Sequence, residues 1–290
     1  MTADLADPVE VASLLDTAAE ALLESECRRG SCMHLPRRGR LVVTGDLHDN
    51  PLHFERIRNY AHLDRPDHHL VLHELIHGDR LVNGVDLSYR ILARVAALVL
   101  QYPGQVHPVL ANHELAQAMR QSVSKGAGDN VELFDAGLEW AFGDDAALVA
   151  ESVDRFVRSM PLALRCEHGT LVSHSLPGPH GMQRFDPGVL ERSLGPDDYL
   201  ANRGSAWLMV WGRGQKPEDI ERLAERWGVK LFFCGHAHAA TGLESPHPKL
   251  LILNSDHEHA MVLTVDLAKE PPSVEQCFEQ AMPVASLGGV

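Results

Sequence analysis

The chain of 290 residues carries a formal net charge of −14, with 44% apolar residues, 23% charged residues and 18 histidines. The apolar and charged fractions are those of an ordinary soluble globular protein with a large core, the histidines are an excess that directs attention to a metal, and the acidic surface repels nucleic-acid phosphates and argues against a nucleic-acid partner. No apolar run reaches membrane-spanning length, the acidic N-terminus does not look like a secretory signal, and five scattered cysteines lack a Cys-x-x-Cys pair, so a reduced, cytoplasmic protein without a membrane partner is expected.

Residues 8–26 set Val9, Val11, Leu14, Leu15, Ala18, Leu22 and Leu23 among acids, the pattern of an amphipathic helix. Arg28-Arg29-Gly30 and Pro36-Arg37-Arg38-Gly39-Arg40 then read as a basic connection into the first core strand, a solvated loop in preference to the alternative of a phosphate-binding segment. Leu41-Val42-Val43 is a buried strand that runs into Gly45-Asp46-Leu47-His48-Asp49-Asn50. It brings Asp46 and His48 to its C-terminal edge on one face, and a carboxylate and an imidazole at that spacing form half of a metal site.

A helical pattern through Phe54, Ile57, Tyr60 and Leu63 leads to the strand Leu70-Val71-Leu72, which ends in His73-Glu74-Leu75-Ile76-His77-Gly78-Asp79-Arg80. Residues 86–101 read as a helix, and His107-Pro108-Val109-Leu110 as a strand ending in Ala111-Asn112-His113-Glu114. Strand and helix alternate as in an α/β sheet, whose ligands collect at the strand ends. Residues 115–160 look like an acidic helical insertion, broken at Lys125-Gly126-Ala127-Gly128-Asp129 by a segment that is expected to move. A β-hairpin around Glu167-His168-Gly169 closes on His174. Residues 177–196 are irregular, 205–212 are apolar with two tryptophans, and 217–227 form an amphipathic helix. The strand 230–234 enters Gly235-His236-Ala237-His238. Residues 250–254 and 260–265 look like an antiparallel pair, and the last twenty residues are expected to be partly disordered.

Five strand ends thus carry metal-capable groups: Asp46 and His48, Glu74 or Asp79, Asn112 and His113, His174, and His236 and His238. Their order resembles that of the calcineurin-like metallophosphoesterase superfamily, particularly its phosphoprotein-phosphatase-like branch with bacterial members. Gly45-Asp46-Leu47-His48, Asn112-His113-Glu114, Ser173-His174 and Gly235-His236-Ala237-His238 match the family's motifs in sequence over roughly residues 40–265. Asp49 stands where the family has glycine, Ala111 replaces another glycine, and the Asp-Arg-Gly arginine is missing.

The resemblance implies a single domain over 1–290 with a four-layer α/β/β/α sandwich, an N-terminal helical extension (1–35) and a helical insertion (115–160). It implies two divalent ions, drawn from Mn, Fe, Zn or Co. Asp46, His48 and His238 would hold the first, and Asn112, His174 and His236 the second. Glu74 would bridge them, with Asp79 as the alternative. Arg213 or Arg203 would clamp phosphate. The implied activity is phosphomonoester hydrolysis by metal-activated hydroxide, on a phosphorylated small molecule or a phosphoprotein. His113 would be the general acid, oriented by His77 or Asp79, with Glu114 behind it. The alternatives are a dinucleotide-polyphosphate or nucleotide hydrolase on the same fold, and a degenerate domain that binds metal without turnover.

Overall fold

A computed structural model describes residues 4–123 and 128–288. Two main sheets meet, and helices cover their outer faces. The first sheet runs, in spatial order, Met282–Pro283, Met261–Asp266, Arg40–Val43, His68–His73 and Val106–Val109. Its last three strands are parallel. Every residue of His68–His73 is buried, as a parallel strand covered on both faces requires. The second sheet runs Arg28–Arg29, Cys32–Leu35, Ala163–Cys166, Thr170–Ser173, Leu231–Cys234, Leu250–Leu253 and Leu243–His247. A short antiparallel pair, Leu81–Val82 with Val85–Asp86, stands apart.

The helices form where periodicity and capping agree. Pro51–Ala61 starts with Asn50 accepting the His53 amide at 3.1 Å and proline in the first turn. Pro217–Trp227 ends at Gly228 in the left-handed region, and its Trp227 ring meets Phe232 of the second sheet edge to face. Pro8–Leu23 buries Val11, Leu15, Ala18 and Leu22 against the helices Ala146–Ser159 and Tyr89–Gln101. One apolar cluster reaches from Val11 to Leu287 and fills the space between the layers. Among the described residues, no helix is long and apolar enough to cross a membrane.

Asp46 joins the sheets. It makes parallel bridges to His73, at the end of one first-sheet strand, and to Asn254, just beyond Leu250–Leu253 of the second. The C-terminal edges of both sheets therefore converge on one point.

Three sequence expectations change. Residues 250–254 and 260–265 are no hairpin. Leu250–Leu253 lies parallel to Leu231–Cys234, whereas Met261–Asp266 runs antiparallel to Arg40–Val43 in the other sheet. Ser255 makes the crossing, accepting the Gly45 amide at 2.9 Å and donating to the Met261 carbonyl at 2.7 Å. The basic connection contains two strands, and its Arg28 guanidinium is spent on the carbonyls of Leu22 and Ser159. The tail is ordered as far as it is described: Ser273 and Gln276 cap the helix Val274–Gln280, and Cys277, Val284 and Leu287 are buried. The segment 125–127, expected to move, lies outside the described residues.

Candidate metal centre and active site

Four of the five strand ends deliver polar side chains to a cavity of about 250 Å³ lined by Asp46, His48, Glu74, Asn112, His113, Arg213, His236, His238, Asn254 and Asp256, while His174 lies fully buried and is not among its lining residues. Asp46 and His48 lie in the turn after their strand, not on it. The His48 amide donates to the Glu74 carbonyl at 2.7 Å and so ties the first two motifs together. His48, Asp49, Glu74, His77 and His236 all have φ between 43° and 64°. Such backbone costs about 1–3 kcal/mol per residue and concentrates where side chains must be aimed. It also accounts for Asp49: the position takes the left-handed backbone glycine favours, and here the Asp49 carboxylate accepts from the Arg80 guanidinium at 2.8 Å. Ala111 has extended backbone (φ −120°), which any residue adopts.

Glu74 sits in the middle. Its Oε2 is 3.3 Å from His48 Nε2, and its Oε1 is 3.4 Å from His174 Nε2 and 3.9 Å from His113 Nε2. His174 Nε2 is in turn 2.6 Å from Asn112 Oδ1 and 3.2 Å from His236 Nδ1. Asp46 accepts the His236 amide with both carboxylate oxygens, at 2.9 and 3.0 Å.

The ring tautomers follow from their outer partners. His48 Nδ1 faces the Ile76 carbonyl at 3.2 Å, so it carries the proton and Nε2 presents a lone pair to the centre. His73 Nε2 faces the Thr44 carbonyl at 2.7 Å, which leaves His73 Nδ1 to accept from His174 Nδ1 at 3.1 Å. The lone pair of His174 Nε2 therefore points at an amide oxygen and a carboxylate. Acceptors aimed at one another, with Glu74 Oε1 and His236 Nε2 making no hydrogen bond among the described residues, need positive charge between them. A divalent cation fits this donor set. Two of the close groups that could hold one are His48–Glu74–His113 and Glu74–His174–His236, with Asp46 beside His73 and His174 in a third.

Electrostatics agrees. Burial holds His236 well below the usual imidazole range and brings His113 down to about 3 and His73 and His77 to about 4, so these rings are neutral. Burial, with Glu74 adding to it, raises the Asp46 carboxyl well above its ordinary value. Burial also pushes Glu74 up, but the imidazoles of His174 and His48 outweigh it and leave Glu74 well below the carboxylate range. Burial, followed by the Glu74 charge, lifts Glu114 to about 7. Glu114 Oε1 accepts the Leu75 and Ile76 amides at 2.6 and 3.2 Å and so shapes the loop after Glu74.

Of the residues singled out in the sequence, Asp46, His48, Glu74, Asn112, His113, His174 and His236 come together. Asp79 does not: it is exposed and outside every close donor group among the described residues. His238 lines the cavity but is exposed at its rim, its ring 5.6 Å from that of His257. Arg213 also lies at the rim, where its Nη1 donates to the His236 carbonyl at 2.7 Å, whereas exposed Arg203 is not among the lining residues. His77 Nδ1 lies 3.1 Å from His113 Nδ1. Sequence reasoning missed His73, Asn254 and Asp256. The position of His73 between a buried strand and Glu74 was the available signal for the first.

A family model described as calcineurin-like phosphoesterase matches residues 39–240. No curated protein sequence matches the chain. Among solved structures, a Saccharomyces cerevisiae protein serine/threonine phosphatase with similarity to human phosphatase PP5 superposes with a TM-score of 0.64 at 16% identity, covering 90% of this chain and 83% of its own. The cold-active protein-tyrosine phosphatase of a psychrophilic Shewanella gives 0.55 at 13% identity, covering 85% and 81%. At such identities the likeness is one of fold, and the fold is that of metallophosphoesterases.

Proposed function

Because the chain belongs to the calcineurin-like phosphoesterase family, and is thus a metal-dependent phosphoric ester hydrolase, we propose that it cleaves phosphate monoesters at a two-metal centre bridged by Glu74. The observation that carries this reading is the position of Glu74, with its two oxygens facing His48 on one side and His174 on the other. Asp46, His48 and Glu74 would hold one ion, and Glu74, Asn112, His174 and His236 the other. Mn, Fe, Zn and Co all suit such a mixed imidazole and carboxylate set. Ions bound there supply Lewis acidity and a water made acidic enough to attack phosphorus near neutral pH.

The chain's own groups supply the rest. Arg213, at the mouth of the cavity, is held by His236, with Nη1 on its carbonyl at 2.7 Å and Nη2 3.4 Å from Nδ1, and its remaining N–H groups would meet phosphate oxygens and neutralise charge as it builds up. His113 Nε2 faces the centre 3.9 Å from Glu74 and is placed to donate a proton to the leaving oxygen. His77 orients the His113 ring from behind. His238, at the rim, would touch substrate or an outer water. The natural substrate is a phosphorylated small molecule or a phosphoprotein, and the neighbouring serine/threonine and tyrosine phosphatases support a monoester. Five unpaired thiols among the described residues suit a reducing cytoplasm.

The test is hydrolysis of an aryl phosphate, an aryl phosphodiester and a dinucleoside polyphosphate by chelated protein, before and after each metal is returned. The account expects monoesterase activity only in the metal-loaded samples. Preference for the dinucleoside polyphosphate would replace the monoester reading, and inactivity with every metal would leave a metal-binding domain without turnover.

A further inference from the structure

The hydrogen-bond chain behind His113 runs on past His77. His77 Nε2 lies 3.0 Å from Gln117 Oε1, and Gln117 Nε2 donates to Asp135 Oδ1 at 2.8 Å. Gln117 stands four residues after His113 on the helix Asn112–Ala118, so the two side chains share a face. Asp135 projects from the helix Asn130–Phe142 and is gripped by the Arg120 guanidinium.

The polarity of this chain follows from its outer end. A carboxylate only accepts, so Asp135 forces the amide of Gln117 to face it with NH₂. Gln117 Oε1 then faces His77 and can only accept, which places the proton of neutral His77 on Nε2. His77 Nδ1 is left with a lone pair and accepts from His113 Nδ1, 3.1 Å away. His113 must therefore keep its Nδ1 proton and turn Nε2 to the cavity. A carboxylate in the place of His77 would fix this by itself. An imidazole can donate or accept, and an amide can flip, so here the choice passes outward until it reaches Asp135.

We infer that Gln117 and Asp135 are positioning residues that set the tautomer of His113 through His77. The inference rests on His113 being the proton donor proposed above. In that step the neutral ring first takes up on Nε2 a proton released by the attacking water, and this proton then passes to the leaving oxygen, which takes the electron pair of the breaking P–O bond. The His113 imidazolium becomes the neutral Nδ1–H form, the form the chain behind it stabilises. The buried face of the helical insertion thus connects to the chemistry, and the Phe134 ring, edge to face with His77 at 5.8 Å, holds the relay from the side.

The experiment is nitrogen NMR of the imidazole rings in the full chain labelled with ¹⁵N-histidine and freed of metal, alongside aryl-phosphate kinetics of the reloaded protein. The wild type is expected to show His113 as Nδ1–H and His77 as Nε2–H. Gln117→Leu should leave both rings as tautomer mixtures and lower kcat about tenfold or more, with KM little changed. The exchanged pair Gln117→Glu with Asp135→Asn puts a carboxylate acceptor next to His77 and an amide donor behind that carboxylate, and should restore both tautomers and most of the rate. A wild-type His113 protonated on Nε2 would overturn the inference even if no variant folds. So would unchanged tautomers in Gln117→Leu. The expected tautomers in a chain that hydrolyses nothing would support the relay and overturn the phosphatase reading instead.

Discussion

His73 lies outside the ligand set drawn here, yet it decides which nitrogen His174 offers. Its bonds to the Thr44 carbonyl and to His174 Nδ1 fix the His174 ring with the Nε2 lone pair inward. Removing such a partner costs on the order of 10–100-fold in metal affinity. His73→Leu should show that loss in a competitive titration of the metal-free protein, and unchanged affinity would mean that His174 is oriented by its other neighbours. Gly235 is required for a different reason. A Cβ there would lie 2.1 Å from Asp46 Oδ1 and 2.7 Å from His73 Cε1, so Gly235→Ala should displace both side chains and abolish metal binding while the core stays folded, as read by circular dichroism. At this scale the sequence was legible for polar residues that end apolar runs, such as Asp46, Asn112 and His236. It was silent on Gln117 and marked His73 only by its place beside Glu74, because their importance lies in what they touch across 40 and 101 residues of chain.

Elements were read well where one periodicity ruled them. The helix Pro217–Trp227 and the buried strands Arg40–Val43 and Leu231–Cys234 fall where the apolar pattern put them. Pairing was another matter. Leu250–Leu253 and Met261–Asp266 are neighbours in sequence and look like a hairpin, but Asn254 turns the chain aside. Its Oδ1 accepts the Ala239 amide at 2.6 Å and its Nδ2 donates to the Ala237 carbonyl at 3.1 Å, which pins it to the His236 loop. The strand Cys32–Leu35 went unseen because arginines flank it and its four residues show no alternation. The C-terminal segment carries no periodic signal, yet three of its apolar side chains, Cys277, Val284 and Leu287, are buried while Phe278 stays exposed. Burying Cys277, Val284 and Leu287 contributes about 1.5–3 kcal/mol for a side chain of valine or leucine size. Ending the chain after residue 272 should therefore lower the unfolding free energy by several kcal/mol in urea, with the metal ligands untouched. An unchanged midpoint would show that the tail does not dock.

Across the whole molecule, buried neutral histidines link stability to pH. His107 lies far from the ligands, stacked on His69, and burial, with His69 adding to it, brings it from 6.5 down to about 3. The folded chain keeps this ring neutral, whereas the unfolded chain takes up a proton near pH 6.5. The stabilisation is therefore complete above that pH and is lost as pH falls toward 3, by at most about 1.4 kcal/mol per pH unit from this one group. Urea midpoints at pH 7.5, 6 and 5 in chelator should fall in that order, and His107→Phe should flatten the trend. The fold itself was legible in outline, since alternating strands and helices with polar strand ends already implied an α/β sheet with its site at one edge. The meeting of two sheets at Asp46 was not, because it depends on a bridge to Asn254, 208 residues further along the chain.

The central claim is that Glu74 joins two ions. The most direct test is the metal content per chain of wild type, Glu74→Ala and Asp79→Ala, measured beside aryl-phosphate hydrolysis. The account predicts about two ions per chain in wild type and Asp79→Ala, both active, and loss of metal and rate together in Glu74→Ala. Full metal and full rate in Glu74→Ala, with both lost in Asp79→Ala, would contradict it.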